Sequence, residues 1–156
     1  MRLLGNILWF LFGGWALFIM YTLAAIIFFP VFNPIFRIAK YSLWPFGKDV
    51  VREKNLRKYK ELKGEASDNI VASGSEQLSG ILNILWLCTF GWILALLHLV
   101  CCLTNVLFVW LIVTIPNIGG HWKMISIAFM PFNTVLISSE LAKEMELSIE
   151  RDKLNL

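Results

Sequence analysis

No Asp, Glu, Lys or Arg occurs between Arg2 and Arg37, a run of 34 residues, and a second run of 46 separates Glu76 from Lys123. A third run of 16 lies between Lys123 and Glu140. A membrane-spanning helix needs about 20 apolar residues to cross roughly 30 Å of hydrocarbon. A water-soluble fold would have to bury stretches far longer than its usual helices, with no polar face to offer solvent. Composition agrees, with 58% hydrophobic and 16% charged residues in a chain of 156; soluble domains sit at roughly 45–50% and about 25%. The chain therefore reads as an all-α integral membrane protein. The apolar run behind Arg2 is too long for a signal-peptide core, and no small-residue cleavage site closes it, so it is expected to be a retained first span.

The chain repeats itself. Asn6-Ile7-Leu8-Trp9 recurs as Asn83-Ile84-Leu85-Trp86, 77 positions later, and Gly14-Trp15 matches Gly91-Trp92 at the same offset. The match resumes at an offset of 86, where Pro30 aligns with Pro116, Arg37 with Lys123, and Pro45-Phe46 with Pro131-Phe132. The second copy thus carries nine extra residues between its Gly-Trp and its first Pro. Four segments follow: membrane repeat 1 (1–47), a basic linker (48–79), membrane repeat 2 (80–137) and an amphipathic C-terminal helix (138–156).

These motifs resemble the YccF-type inner membrane component domain family of bacteria. Its members look like two tandem modules, each opening with Asn-Ile-(Leu/Phe)-Trp and Gly-Trp and closing near a Trp-Pro-(Phe/Tyr/Val)-Gly turn. Asn6 to Trp9, Gly14-Trp15 and Trp44-Pro45-Phe46-Gly47 fit the first module, and Asn83 to Trp86 with Gly91-Trp92 the second. The second closing turn departs, reading Met130-Pro131-Phe132-Asn133. The resemblance implies a bacterial inner-membrane location and no defined activity.

The second charge-free run is long enough for two short spans, about Gly80 to Leu97 and Leu99 to Ile115. The first run fits one tilted helix from Leu3 to Phe29, or two spans turning near Met20-Tyr21-Thr22. Pro30, Pro45, Pro116 and Pro131 are expected to break helices, since proline lacks an N–H and clashes with the preceding turn. The segments Phe32 to Trp44 and Ile118 to Met130 suit helices at the membrane surface or re-entrant elements. Trp9, Trp15, Trp44, Trp86 and Trp92 near span ends fit an interfacial belt. Nine of fourteen Lys/Arg lie between Arg37 and Lys63, which assigns that segment to the cytoplasm. Termini on the same side as the linker require an even number of crossings per repeat, hence helical hairpins and four spans; three is the rival count. Val50 to Lys63 reads as a solvated helix, Gly64 to Ser79 as a loop, and Ser138 to Leu156 as a helix capped by Ser139 with a stripe of Leu141, Met145 and Ile149. That stripe suits the protein's own core, the bilayer surface or another subunit.

Polar groups inside apolar runs are costly and face protein or water, so each is a candidate site. Asn6 and Asn83 can line a pore mouth or coordinate an ion, cap their helices, or bond to a neighbouring helix. Gly14 and Gly91 can allow close helix packing or border a solute path, and Gly119-Gly120 marks a loop or break. His98 and Asn105 are the deepest polar groups of the second half; His98 can relay a proton or bond a backbone carbonyl at a turn between spans. His121 is expected among headgroups. Thr22, Thr89, Thr104 and Thr114 can bond back to their own helices. Cys88, Cys101 and Cys102 read as packing residues, with no metal-ligand spacing. Arg37, Lys40, Lys123, Arg52, Arg57 and Lys58 can meet anionic headgroups.

No nucleophile elbow, phosphate-cradling loop or metal cluster is present, so no enzyme, cofactor or metal is expected. Acidic residues interrupt the basic linker, which argues against nucleic acid. Two function classes remain open. The first is an oligomeric passive channel or small-solute pore that leans towards anions; the second is a scaffold or accessory subunit recruiting a partner through the linker and C-terminal helix.

Overall fold

The computed structural model describes residues 2–65, 69–112 and 114–154. These fall into two compact units, one of residues 1–46 and 82–132, the other of residues 47–81 and 133–156.

The first unit opens with α1 (Arg2–Trp9), a π-helical turn at Phe10–Gly14, and α2 (Trp15–Ile27). A 3-10 turn at Phe29–Val31 leads into α3 (Phe32–Leu43), which packs back on α2. In the second half, α5 (Asn69–Trp86), a π-helical turn at Leu87–Gly91 and α6 (Trp92–Leu107) precede a 3-10 turn at Val109–Leu111. Helix α7 (Ile115–Phe129) packs back on α6. Two helical stretches, Arg2–Ile27 and Glu76–Leu107, are long and apolar enough to cross a membrane.

The breaks lie elsewhere than the apolar runs suggested. No turn occurs at Met20-Tyr21-Thr22; the first stretch kinks at Phe12 and Gly13, where Gly13 has φ 131°. That conformation suits glycine, which has no Cβ to clash. Nor does the chain turn at His98, which lies inside α6. Gly119 and Gly120 are helical residues of α7. Pro116 sits in the first turn of α7, where its missing N–H removes no helical hydrogen bond. Of the nine extra residues, three lengthen α6, three separate the 3-10 turn from α7, and three extend α7 at its start.

The second unit holds α4 (Glu53–Leu62), α8 (Ser139–Lys153) and an antiparallel pair, β1 (Lys48–Arg52) and β2 (Thr134–Ser138). The chain is mostly helical, as an all-α reading expects, and this short pair is an addition to it: Val50 to Arg52 are strand rather than helix. Val50 pairs with Leu136, its equivalent 86 positions on, and the register is symmetric about that pair: Lys48 faces Ser138 and Arg52 faces Thr134. Met145, Ile149 and Ala142 of α8 pack on Val51 and Tyr59, with Leu141 at the margin, so the C-terminal stripe builds this unit's own core. Ser138, not Ser139, caps α8, its Oγ accepting the Leu141 N–H at 3.2 Å. The expected loop from Gly64 to Ser79 is helical from Asn69 onward, and 66–68 lie outside the described residues. Its Gly and Ser lower helix propensity without ending a helix that runs on into Leu and Ile.

Candidate functional site

Each half of the membrane unit is closed by the same two bonds. Asn6 donates from Nδ2 to the Phe46 carbonyl at 3.1 Å and accepts the Phe46 N–H on Oδ1 at 2.9 Å. Asn83 does the same to Phe132, at 3.4 and 3.1 Å. Both carboxamides are thus matched to a backbone that the Pro-Phe turn leaves without helical partners. Trp9 donates from Nε1 to the Ser42 carbonyl at 2.7 Å and Trp86 to that of Ala128 at 2.8 Å. These two indoles are fully buried, so they leave the interfacial belt that their positions suggested; Trp15, Trp44 and Trp92 are exposed. Gly14 and Gly91 face the same rings: a Cβ at Gly14 would fall 2.5 Å from Trp9 Cδ1, and one at Gly91 3.1 Å from Trp86 Cδ1.

A buried polar chain runs between the halves. Tyr21 Oη lies 3.3 Å from His98 Nε2, and His98 Nδ1 lies 3.2 Å from His121 Nδ1. His121 stacks on Trp9, with ring centroids 4.0 Å apart. Gly120 admits that indole, since a Cβ there would meet Trp9 Cζ3 at 2.7 Å. Asn105 accepts from Asn117 Nδ2 at 3.1 Å and donates to the Cys101 carbonyl at 2.8 Å. Two expectations fail here. His98 bonds side chains in mid-helix rather than a carbonyl at a turn, and His121 is buried rather than among headgroups. Tyr21 and Asn117 were missed, although Tyr21 precedes His98 by 77 positions, the offset of the repeat. Thr22, Thr89 and Thr104 bond back to their own helices, and Thr114 to the Phe108 carbonyl. Cys101 and Cys102 are buried, but Cys88 is exposed and fills no interior gap.

The outward faces of the membrane unit divide by chemistry. On α2 the exposed side chains are Trp15, Ile19, Leu23, Ile26 and Ile27; on α6 they are Trp92, Leu96, Val100, Leu103, Val106 and Leu107. On α3 they are Asn33, Arg37 and Lys40, with Trp44 just beyond. Their spacing of three or four places them on one helix face. The residues 86 positions on are Gly119, Lys123, Ser126 and Met130, likewise exposed, alongside Ile115, Pro116 and Trp122. Lys40 also sits 4.8 Å over the Phe36 ring. The membrane unit contains Arg2, Arg37, Lys40 and Lys123 and no carboxylate side chain.

All eleven Asp and Glu lie in the second unit. There the linker cations meet carboxylates: Arg57 pairs with Glu76, Lys58 with Asp152 at 2.8 Å, and Lys63 with Glu144 at 3.0 Å. Glu144 also accepts from the Tyr59 hydroxyl at 2.8 Å. Bonds from Lys63 and then Tyr59 hold the Glu144 carboxyl below its ordinary range, and the same contact raises Tyr59 and Lys63. Arg57 and Lys58 are thereby engaged within the chain. Among the described residues no group of three or more His, Cys, Asp or Glu could hold a metal.

The inner membrane proteins YccF of Escherichia coli (strain K12) and Shigella flexneri are each 29% identical to this chain over 149 residues, covering 92% of it and 92% of each relative. No solved structure matches. The sequence profile of the inner membrane component domain matches residues 4–48 and 81–134, the two stretches that the Asn-Phe and Trp-carbonyl bonds close, and the chain belongs to this YccF family of bacterial inner-membrane proteins.

Proposed function

We propose that several copies of the protein assemble around a passive, anion-favouring path through the inner membrane, lined by the polar faces of α3 and α7. The observation that carries this reading is the pair of outward stripes, Asn33-Arg37-Lys40 and Gly119-Lys123-Ser126, exposed at equivalent positions of the two halves. A stripe of cations facing acyl chains is costly, and one facing water is not. The apolar faces of α2 and α6 suit lipid, which leaves α3 and α7 to face a shared axis. Two hairpins enclose too little space alone, so the path requires an oligomer. The unit carries four Lys/Arg and no Asp or Glu, so its own net charge is positive and favours anions.

In this reading both termini and the linker are cytoplasmic, and Arg2–Ile27 and Glu76–Leu107 are the long arms of the two hairpins. Helices α3 and α7, with 12 and 15 residues, reach only about 18 and 22 Å of the roughly 30 Å of hydrocarbon and are shorter return arms. The charge bias between Arg37 and Lys63 supports that orientation. So does the β1–β2 pairing, because each strand follows directly on the closing Phe of its hairpin. Asn6, Asn83, Gly14, Gly91, His98 and Asn105 then serve the packing of each subunit rather than the lining.

The test is flux through purified protein in vesicles, with native mass spectrometry of the same sample. An oligomer that passes chloride over potassium, with the preference lost in Arg37→Ala/Lys123→Ala, supports the proposal. No flux above protein-free vesicles, or flux indifferent to both substitutions, overturns it. Cation-dependent binding to anionic lipid without flux would favour the scaffold reading, with the stripes resting on headgroups.

A further inference from the structure

Two polar atoms at the end of the buried chain have no hydrogen-bond partner among the described residues: His121 Nε2 and Asn117 Oδ1. Both side chains are fully buried. They stand four residues apart on α7, one helical turn, which brings their Cβ atoms within about 6 Å. Buried polar groups are nearly always satisfied, so two such atoms on one helix face define a place for a third group.

The neighbouring bonds restrict its chemistry. Asn117 Nδ2 donates to Asn105, which orients the amide and leaves Oδ1 as an acceptor, so the guest must donate to it. An anion is excluded on that ground. A divalent cation would find no carboxylate anywhere in the membrane unit to offset its charge. A small neutral molecule that both donates and accepts fits, and the smallest is water. A water bridging two groups spans roughly 5–6 Å at ordinary hydrogen-bond lengths, a reach comparable with the Cβ spacing of two residues one helical turn apart.

We propose that His121 Nε2 and Asn117 Oδ1 hold one water between them, and that this water fixes the tautomers of the histidine pair. The water donates to Asn117 and accepts the proton on His121 Nε2. His121 Nδ1 is then bare and accepts from Nδ1–H of His98, and His98 Nε2 accepts the Tyr21 hydroxyl. Each member of the sequence Tyr21, His98, His121, water, Asn117, Asn105 then donates one bond to the next, and the last donates to the Cys101 carbonyl. The opposite direction leaves the Tyr21 hydroxyl proton without an acceptor in this chain of bonds. The site stands independently of any reading of the protein's transport.

The chain contains only two histidines, so ring-15N labelling yields two readable spin systems. Magnetic resonance of the protein in lipid bilayers should show His98 protonated at Nδ1 and His121 at Nε2, with a water cross-peak to the His121 Nε2 proton. Asn117→Leu should remove that cross-peak, while Tyr21→Phe should leave it. If Asn117→Leu disturbs folding, Asn117→Ser keeps a small acceptor and should retain the cross-peak. His121 protonated at Nδ1, or an Nε2 proton with no water contact in the unsubstituted protein, overturns the proposal.

Discussion

Replacing Asn6 by Ala removes two bonds that close the first hairpin, and the same change at Asn83 removes their equivalents. Asn6 is almost fully buried, and its bonds to Phe46 are 2.9 and 3.1 Å. Asn83 is partly open to solvent, and its bonds are 3.1 and 3.4 Å. A well-made hydrogen bond contributes about 1 kcal/mol net, and interhelical bonds in membranes average about 0.6 kcal/mol. Asn6→Ala should therefore destabilise the folded protein by about 1–2 kcal/mol. At Asn83 water can replace the lost partner and the second bond is weak, so the loss should be nearer 0.5–1 kcal/mol. Asn6→Asp tests the same geometry differently. It keeps the acceptor for the Phe46 N–H but turns an oxygen towards the Phe46 carbonyl, so it should do no better than Ala. The assay is reversible unfolding in mixed micelles, followed by tryptophan fluorescence. A loss below about 0.3 kcal/mol for Asn6→Ala, or a larger loss at Asn83 than at Asn6, would refute the reasoning.

Gly14→Ala should cost about 1–3 kcal/mol in the same assay, because its Cβ meets both Trp9 Cδ1 at 2.5 Å and Nε1 at 2.8 Å. Gly91→Ala should be near neutral, since contacts of 3.1–3.3 Å can yield and helix propensity returns up to about 1 kcal/mol. Ser138→Ala should lower the stability of α8 by about 1 kcal/mol through loss of its cap, measured by amide exchange, and Ser139→Ala should not. The folded pKa of Glu144 is depressed, so its stabilisation is present above the ordinary carboxylate range and lost as pH falls through the depressed value. Amide exchange in α4 and α8 should accelerate across that acid window and at high salt, and Glu144→Gln should flatten both dependences.

The membrane character and the recurrence of Asn-Ile-Leu-Trp and Gly-Trp are legible in the residues because both are properties of one stretch compared with itself or with hydrocarbon. What could not be read depends on partners far along the chain. Trp9 and Trp15 have the same apolar surroundings in sequence, yet only Trp9 reaches a free carbonyl, that of Ser42. Gly120 beside Gly119 looks like a break, but its missing side chain admits an indole from 111 positions earlier. Val50-Val51 is too short to announce a strand, and it becomes one only by pairing with Leu136 and Val135, far along the chain. The stripes on α3 and α7 were half legible: the Arg37–Lys123 match was visible, but their shared outward facing needed α3 and α7 packed on α2 and α6.

The symmetric contacts explain where the two halves have had to diverge. At two pairs of positions, Asn6 with Asn83 and Trp9 with Trp86, a residue and its equivalent make separate copies of the same bond, so identity is tolerated. Where the halves meet each other, equivalent residues face one another directly. Val50 faces Leu136, an apolar pair for which any combination of aliphatic residues serves. Tyr21 faces His98 in the buried interior, where one side must donate and the other accept. A phenol and an imidazole can divide those roles, and the imidazole has a second nitrogen to carry the bond on to His121. The departure from symmetry then propagates. The second half alone extends α6 and α7, and those helices carry the polar residues that continue the chain, Asn105 and Asn117. The halves therefore use unlike partners where Tyr21 meets His98, while the bonds that close each hairpin are alike.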